Sequence, residues 1–188
     1  YIKIYLLADL TGFYFALGKI GKYKLELRQI FETIGYLDTT ISIASFRLEY
    51  PKYCKPTFVS DKGHYSVSDI YNPLIVNPIA NSFTFEKKSL IVSGSNMAGK
   101  TTFLKTMGVN AILAQTINTC MATKYEAPLM TVLTSMEIRD NLIQGKSYYL
   151  SEIESILKLV NSSNSDDIHL LVLDEIFRGT NSVERYGA

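Results

Sequence analysis

Charge of one sign, cysteine and uninterrupted apolar stretches are all scarce in this chain of 188 residues. Lys plus Arg number 19 against 18 Asp plus Glu, a net charge of +1, which excludes a generic polycation. Any nucleic-acid contact must then come from a local patch or from parts outside this segment. The halves differ little, +3 for residues 1–88 and −2 for 89–188, too small a contrast to imply a ligand. Two cysteines, Cys54 and Cys120, cannot build a disulfide framework and read as reduced thiols of a cytoplasmic protein. The most apolar stretch, Tyr1 to Leu25, is interrupted by Lys3, Asp9, Lys19, Lys22 and Lys24. It therefore falls short of the roughly 20 apolar residues that a membrane span needs. It also lacks the charged start and cleavage pattern of a signal peptide. No internal repeat or low-complexity tract is visible, and Tyr1 in place of an initiating Met reads as the start of a fragment.

What is present is apolar material in quantity, 47% of residues, enough for a sizeable core. It falls into three zones. Up to Arg47, Leu6, Leu7, Leu10, Phe13, Tyr14, Ala16 and Leu17 recur at helical spacing, and Gly18 and Gly21 punctuate the chain. A second helical pattern runs from Leu25 to Leu37 and a third from Ile41 to Phe46. Residues 48–86 hold Pro51, Pro56, Pro73 and Pro78 among short β-prone runs such as Thr57-Phe58-Val59 and Phe83-Thr84-Phe85. This texture predicts a β-rich subdomain with prolines kept to edges and loops. From residue 87 onward the pattern changes again. Leu90-Ile91-Val92 predicts a buried strand, Lys100 to Asn118 a helix, Tyr149 to Val160 a second helix and Ile168 to Leu173 a second buried strand. Strand, glycine loop, helix and a later apolar strand ending in acids is an α/β pattern with parallel strands.

The loop between the first predicted strand and helix carries the most chemistry. Gly94-Ser95-Asn96-Met97-Ala98-Gly99-Lys100-Thr101 fits G-x-x-x-x-G-K-[ST] at every fixed position. Gly94 and Gly99 let the backbone curl around a phosphate, so that successive N–H groups form an anion nest. The helix that follows aims its positive end at the same anion. Lys100 supplies charge for the β- and γ-phosphates of ATP, and the Thr101 hydroxyl is suited to Mg²⁺. The helix stripe Phe103, Leu104, Met107, Ala111, Ala114 and Ile117 reads as core packing, and Gly108 within it costs about 1 kcal/mol unless a neighbour packs closely there. Leu170-Leu171-Val172-Leu173 ends in Asp174-Glu175. Beside a phosphate loop, Asp174 would serve the metal shell and Glu175 would polarise the attacking water.

The residues around these motifs narrow the family. Gly94 to Thr102 resembles the G-P-N-M-[AG]-G-K-S-[ST] loop of the MutS family of DNA mismatch repair ATPases. Asp174-Glu175-Ile176-Phe177-Arg178-Gly179-Thr180 resembles its D-E-x-x-R-G-T segment, and Asp140 to Ser147 its D-D-L-x-x-G-x-S segment. Asn72-Pro73 falls where the family usually has His-Pro. The resemblance implies an α/β, ABC-type P-loop NTPase fold over 48–188, with a core from 87, preceded by a helical lever over 1–47. It implies ATP and Mg²⁺ at composite sites of a dimer and coupling to DNA through other domains. It places Ser147 against the γ-phosphate held by the partner, although an ordinary helix N-cap is the alternative there. It places Asn96, Met97 and Ala98 along the phosphates, with Asn96 near the γ-phosphate or attacking water. It also places Gly179, Thr180, Asn181 and Ser182 at the dimer crossing, and Ile79 in the adenine pocket.

The departures are Ser95 for proline, Thr101 for serine and Glu137 where glycine is common. Only 13 residues follow Glu175, which reads as truncation before the family's switch histidine and dimerisation helices. Neither His64 nor His169 can serve as that switch. Two other readings keep the motifs: a transport or chromosome-organising ABC ATPase, disfavoured by Gln144-Gly145-Lys146-Ser147 in place of a Leu-Ser-Gly-Gly-Gln signature, or a module that binds ATP without cleaving it.

Overall fold

The computed structural model describes residues 2–86, 89–95, 98–136, 148–162 and 167–174, in two compact units that divide after Glu49. The first unit is two helices, α1 (Ile2–Lys22) and α2 (Lys24–Glu49). Gly18 and Gly21 lie inside α1 rather than ending it, because glycine costs a helix only about 1 kcal/mol and no proline is near. The helical bonds continue through Tyr23, from its N–H to Lys19 O at 3.0 Å and from Leu27 N–H to Tyr23 O at 2.9 Å. The predicted third helix over Ile41 to Phe46 is the continuation of α2. None of the described residues of α2 is buried, and Arg28 Nε bonds Glu32 one turn on at 2.7 Å.

The second unit opens with β1 (Thr57–Phe58), β2 (His64–Ile70) and β3 (Asn81–Glu86), then α3 (Lys100–Ile117), β4 (Lys124–Ala127), β5 (Thr131–Ser135), α4 (Tyr148–Ser162) and β6 (His169–Leu173). A four-stranded sheet has the order β1-β4-β2-β3, with β1 and β4 parallel and the other pairs antiparallel. β4, which follows α3 in the chain, enters this sheet between β1 and β2. The described prolines of residues 48–86 stand outside the strands, and the proline-free β2 is central. Alternation puts Tyr65 and Val67 on the inner face. A bulge between Val67 and Ile70, with Asp69 at φ 52°, brings Ile70 back to that face. The Asp69 carboxylate accepts from Thr123 Oγ1 at 2.9 Å, and its N–H donates to Ser82 Oγ at 2.8 Å. On the outer face His64 stands 3.9 Å from Glu86 and 3.7 Å from Glu126.

A second sheet pairs β5 and β6 in parallel. Leu170 and Val172 of β6 are buried while Leu171 and Leu173 are exposed, so this strand is one-faced rather than enclosed on both sides. The predicted strand Leu90-Ile91-Val92 is not formed. The run has no ladder partner among the described residues, and Ile91 is 88% exposed. Apolarity alone does not make a strand where no neighbour takes up its N–H and C=O groups.

One core joins both sheets through α3. Met107, Ala111 and Ala114 on the helix meet Tyr65, Val67, Ile70 and Tyr125 of the first sheet and Leu170 and Val172 of the second. Tyr65 lies parallel to Phe83 and Phe85, which neighbour each other at 6.2 Å, with centroids at 5.9 and 5.2 Å, and makes an edge contact with Tyr125 at 5.5 Å. Phe83 in turn meets the edge of Phe103, in the first turn of α3, at 5.2 Å. Cys54 and Cys120 face each other in an antiparallel bridge with both backbone bonds at 2.9 Å, and both are free thiols. The bond from the Cys120 side chain holds the Cys54 thiol below its usual range, and the same contact with burial pushes Cys120 up.

At the buried Gly108, an added Cβ would lie 3.9 Å from Val132 Cγ1, an ordinary contact. Gly108→Ala is therefore expected to stabilise the protein by about 1 kcal/mol in urea-induced unfolding, since the helix gains propensity without a clash. A lower midpoint would show that the approach is closer than this geometry allows.

Candidate phosphate-loop site

The turn that enters α3 is built by one backbone position. Gly99 caps the helix at φ 87° and ψ 16°, a left-handed conformation that a side chain would strain, and its carbonyl accepts Phe103 N–H at 2.9 Å. Gly94 is different, because a Cβ there would meet Ala98 Cβ at an ordinary 3.5 Å. The loop closes on itself through Ala98 N–H to Ser95 O at 3.2 Å. Lys100, the first residue of α3, folds its ammonium back over the loop and donates to Gly94 O at 2.8 Å and Ser95 O at 2.9 Å. The charge thus sits above the loop, at the positive end of an 18-residue helix.

The decisive contact is made by the next residue. The Thr101 hydroxyl donates to Asp174 Oδ2 at 2.5 Å, joining positions 73 residues apart. Asp174 is fixed at the end of β6 by its N–H, which bonds Ser135 O of the neighbouring strand at 3.1 Å. Asp174 and Thr101 are both part-buried. A hydroxyl and a carboxylate, both hard oxygen donors, suit Mg²⁺, which typically takes one or two protein oxygens and completes its shell with water and phosphate. Among the described residues no cluster of three or more His, Cys, Asp or Glu could hold a metal by itself.

Beside the loop lies a cavity of about 670 Å³, within the range of small-molecule sites. One wall is the segment after β2 and the start of β3, including Asn72, Ile79 and Phe83. The other is the start of α3, including Lys100, Phe103 and Thr106. Thr102 also lines it, so the structure gathers Ile79, Ala98, Gly99, Lys100 and Thr102 of the sequence-predicted residues around one space. Gly94, Ser95, Thr101 and Asp174 adjoin it through the bonds above. Asn96, Met97, Glu137, Ser147, Glu175, Gly179, Thr180, Asn181 and Ser182 lie outside the described residues. Sequence reasoning treated Phe103 only as core, whereas it is part-buried and faces the cavity as well. On the wall after β2 it placed only Ile79 at the nucleotide, and did not connect Asn72 with the site. The further signal there was Asn77-Pro78, with Asn77 at φ 55°.

Residues 90–187 match the family description MutS domain V, just over half of the chain. The chain belongs to the MutS family. It is 28% identical over 176 residues to the DNA mismatch repair protein MutS of Petrotoga mobilis, an alignment covering 89% of this chain and 21% of that protein. It is 31% identical over 173 residues to the MutS of Thermotoga maritima, covering 87% and 21%. It is 27% identical over 175 residues to the DNA mismatch repair protein MSH3 of Candida glabrata, covering 88% and 17%. The chain thus spans about a fifth of the length of these relatives. Among the described residues, no helix is long and apolar enough to cross a membrane.

Proposed function

We propose that this MutS-family chain is the ATP-binding and ATP-hydrolysing part of a DNA mismatch repair protein, with an ABC-type P-loop fold and a cytoplasmic location. The observation that carries this reading is the Thr101–Asp174 bond beside the Lys100 ammonium, which gathers a metal-suited oxygen pair and a cation at one helix start. Lys100 and the loop N–H groups bind the β- and γ-phosphates, and the cavity walled by Ile79 and Phe103 takes the nucleoside. Mg²⁺, when bound, neutralises phosphate charge, and Thr101 and Asp174 are the residues that would hold it. Glu175, next along the chain, orients and deprotonates the attacking water, and Asn96 positions it. Ser147 reaches the γ-phosphate of a partner subunit, and Gly179 to Ser182 lie along the crossing. ATP binding then favours the closed dimer, and hydrolysis resets it, changing the hold on DNA by a population shift.

The test compares ATP affinity with ATP turnover in the full-length protein and its Glu175→Ala variant. Affinity should stay within about threefold while turnover falls by about a hundredfold or more. Unaltered turnover would remove Glu175 from the chemistry, and a wild-type protein that binds no ATP would end the whole reading.

A further inference from the structure

Asn110 is a polar side chain at the middle of α3 and is fully buried, at 0% exposure. A buried amide without partners is costly, so the bonds it makes indicate what it is for. Its Nδ2 donates to Thr106 O at 3.0 Å on its own helix and to Tyr71 O at 3.1 Å, and its Oδ1 accepts Met121 N–H at 2.7 Å. Met121 O in turn accepts Tyr71 N–H at 2.9 Å. One side chain therefore closes a ring through three segments: α3, the end of β2 and the turn before β4.

The position of Tyr71 gives this ring a consequence for the site. Tyr71 directly precedes Asn72, which is buried and begins the cavity wall that follows β2. Asn72 Oδ1 accepts Leu74 N–H at 3.0 Å, and Asn72 O accepts Ile75 N–H at 3.3 Å, a turn that sends the chain toward Ile79. The opposite wall is the first two turns of α3, from Lys100 to Thr106. Asn110 lies one turn beyond Thr106, to whose carbonyl it bonds. Among the described residues no backbone ladder links α3 to the wall after β2, and the Asn110 amide makes a direct bond between the helix and the base of that wall.

We infer that Asn110 is a positioning residue for the nucleoside side of the pocket: it fixes the gap between the two cavity walls and leaves the phosphate loop to its own bonds. This rests on the nucleotide-binding reading above. The loop is closed by Lys100 and by the Ala98–Ser95 bond, neither of which involves Asn110. A defect at Asn110 should therefore reach a ligand that fills the cavity and spare one that fills only the loop. General loss of structure would weaken both.

The probes are ATP and inorganic tripolyphosphate, each with Mg²⁺, titrated into the full-length protein and its Asn110→Leu variant, a substitution that keeps the side-chain branching and removes every hydrogen-bonding atom. ATP affinity should fall about tenfold, about the worth of the single bond to Tyr71 that joins the two walls, while tripolyphosphate affinity stays within about twofold. Equal weakening of both ligands, or unchanged ATP affinity, overturns the inference. A second measurement needs no variant. In the wild-type protein, ATP should slow amide exchange at Tyr71 and Met121, and tripolyphosphate should not. Equal exchange with the two ligands also overturns the inference. A wild-type protein that binds tripolyphosphate as tightly as ATP defeats the role of Asn110 alone. One that binds neither defeats the nucleotide reading beneath it.

Discussion

Lys100→Ala should raise the dissociation constant of the full-length protein for ATP by about a hundredfold or more, measured by equilibrium titration with Mg²⁺ present. The ammonium is held over the loop by two carbonyls, Gly94 O at 2.8 Å and Ser95 O at 2.9 Å, so its charge is placed rather than loose. Charge-assisted bonds to phosphate are roughly twice as strong as neutral ones, and two of them correspond to about 3 kcal/mol. Lys100→Arg keeps the charge but replaces a compact ammonium with a planar fork that does not match two carbonyls of one tight turn. It should recover only part of the affinity. The substitution also frees two carbonyls, but these face an exposed loop where water can replace the lysine, so the unfolding midpoint should move little. ATP affinity within threefold of wild type in Lys100→Ala would disconnect this loop from triphosphate binding.

Tyr125→Ala should cost about 3–5 kcal/mol in denaturant unfolding, a large share of the 5–15 kcal/mol by which domains are usually stable. Tyr125 is 2% exposed on β4 and sets its ring edge against Tyr65 at 5.5 Å, beneath the aromatic row that continues through Phe83 to Phe103. Its removal opens a cavity between the sheet and α3 that the surrounding strands cannot close without shifting their ladders. Tyr125→Phe keeps the ring and should cost about 1 kcal/mol or less. A loss below 1 kcal/mol for the alanine variant would mean that β4 is peripheral to the core.

Much of the local structure was legible. Eighteen residues from Lys100 form a helix where the apolar stripe Met107, Ala111 and Ala114 predicts one, and Gly99 takes the left-handed cap that begins it. β4 and β5 were missed for different reasons. Lys124-Tyr125-Glu126-Ala127 is too short to display a period. Thr131-Val132-Leu133-Thr134, a β-branched run after Pro128, has strand composition but lacks the flanking turn signals on both sides that would mark its bounds. Leu90-Ile91-Val92 misled in the opposite direction, because its composition is that of a strand and no partner strand is described beside it.

The sequence by itself determined the turn chemistry of this protein and its family. A positive-φ glycine, a lysine at the first helical position and a following hydroxyl are set by spacing within eight residues, where backbone sterics and helix geometry act alone. Only the tertiary structure decided that Thr101 meets Asp174, that β4 passes between β1 and β2, and that Asn110 bonds the base of the cavity's far wall. Those contacts join positions 39 to 73 residues apart or depend on which strand edges find partners. They are fixed by the burial of one shared core, which no local pattern encodes.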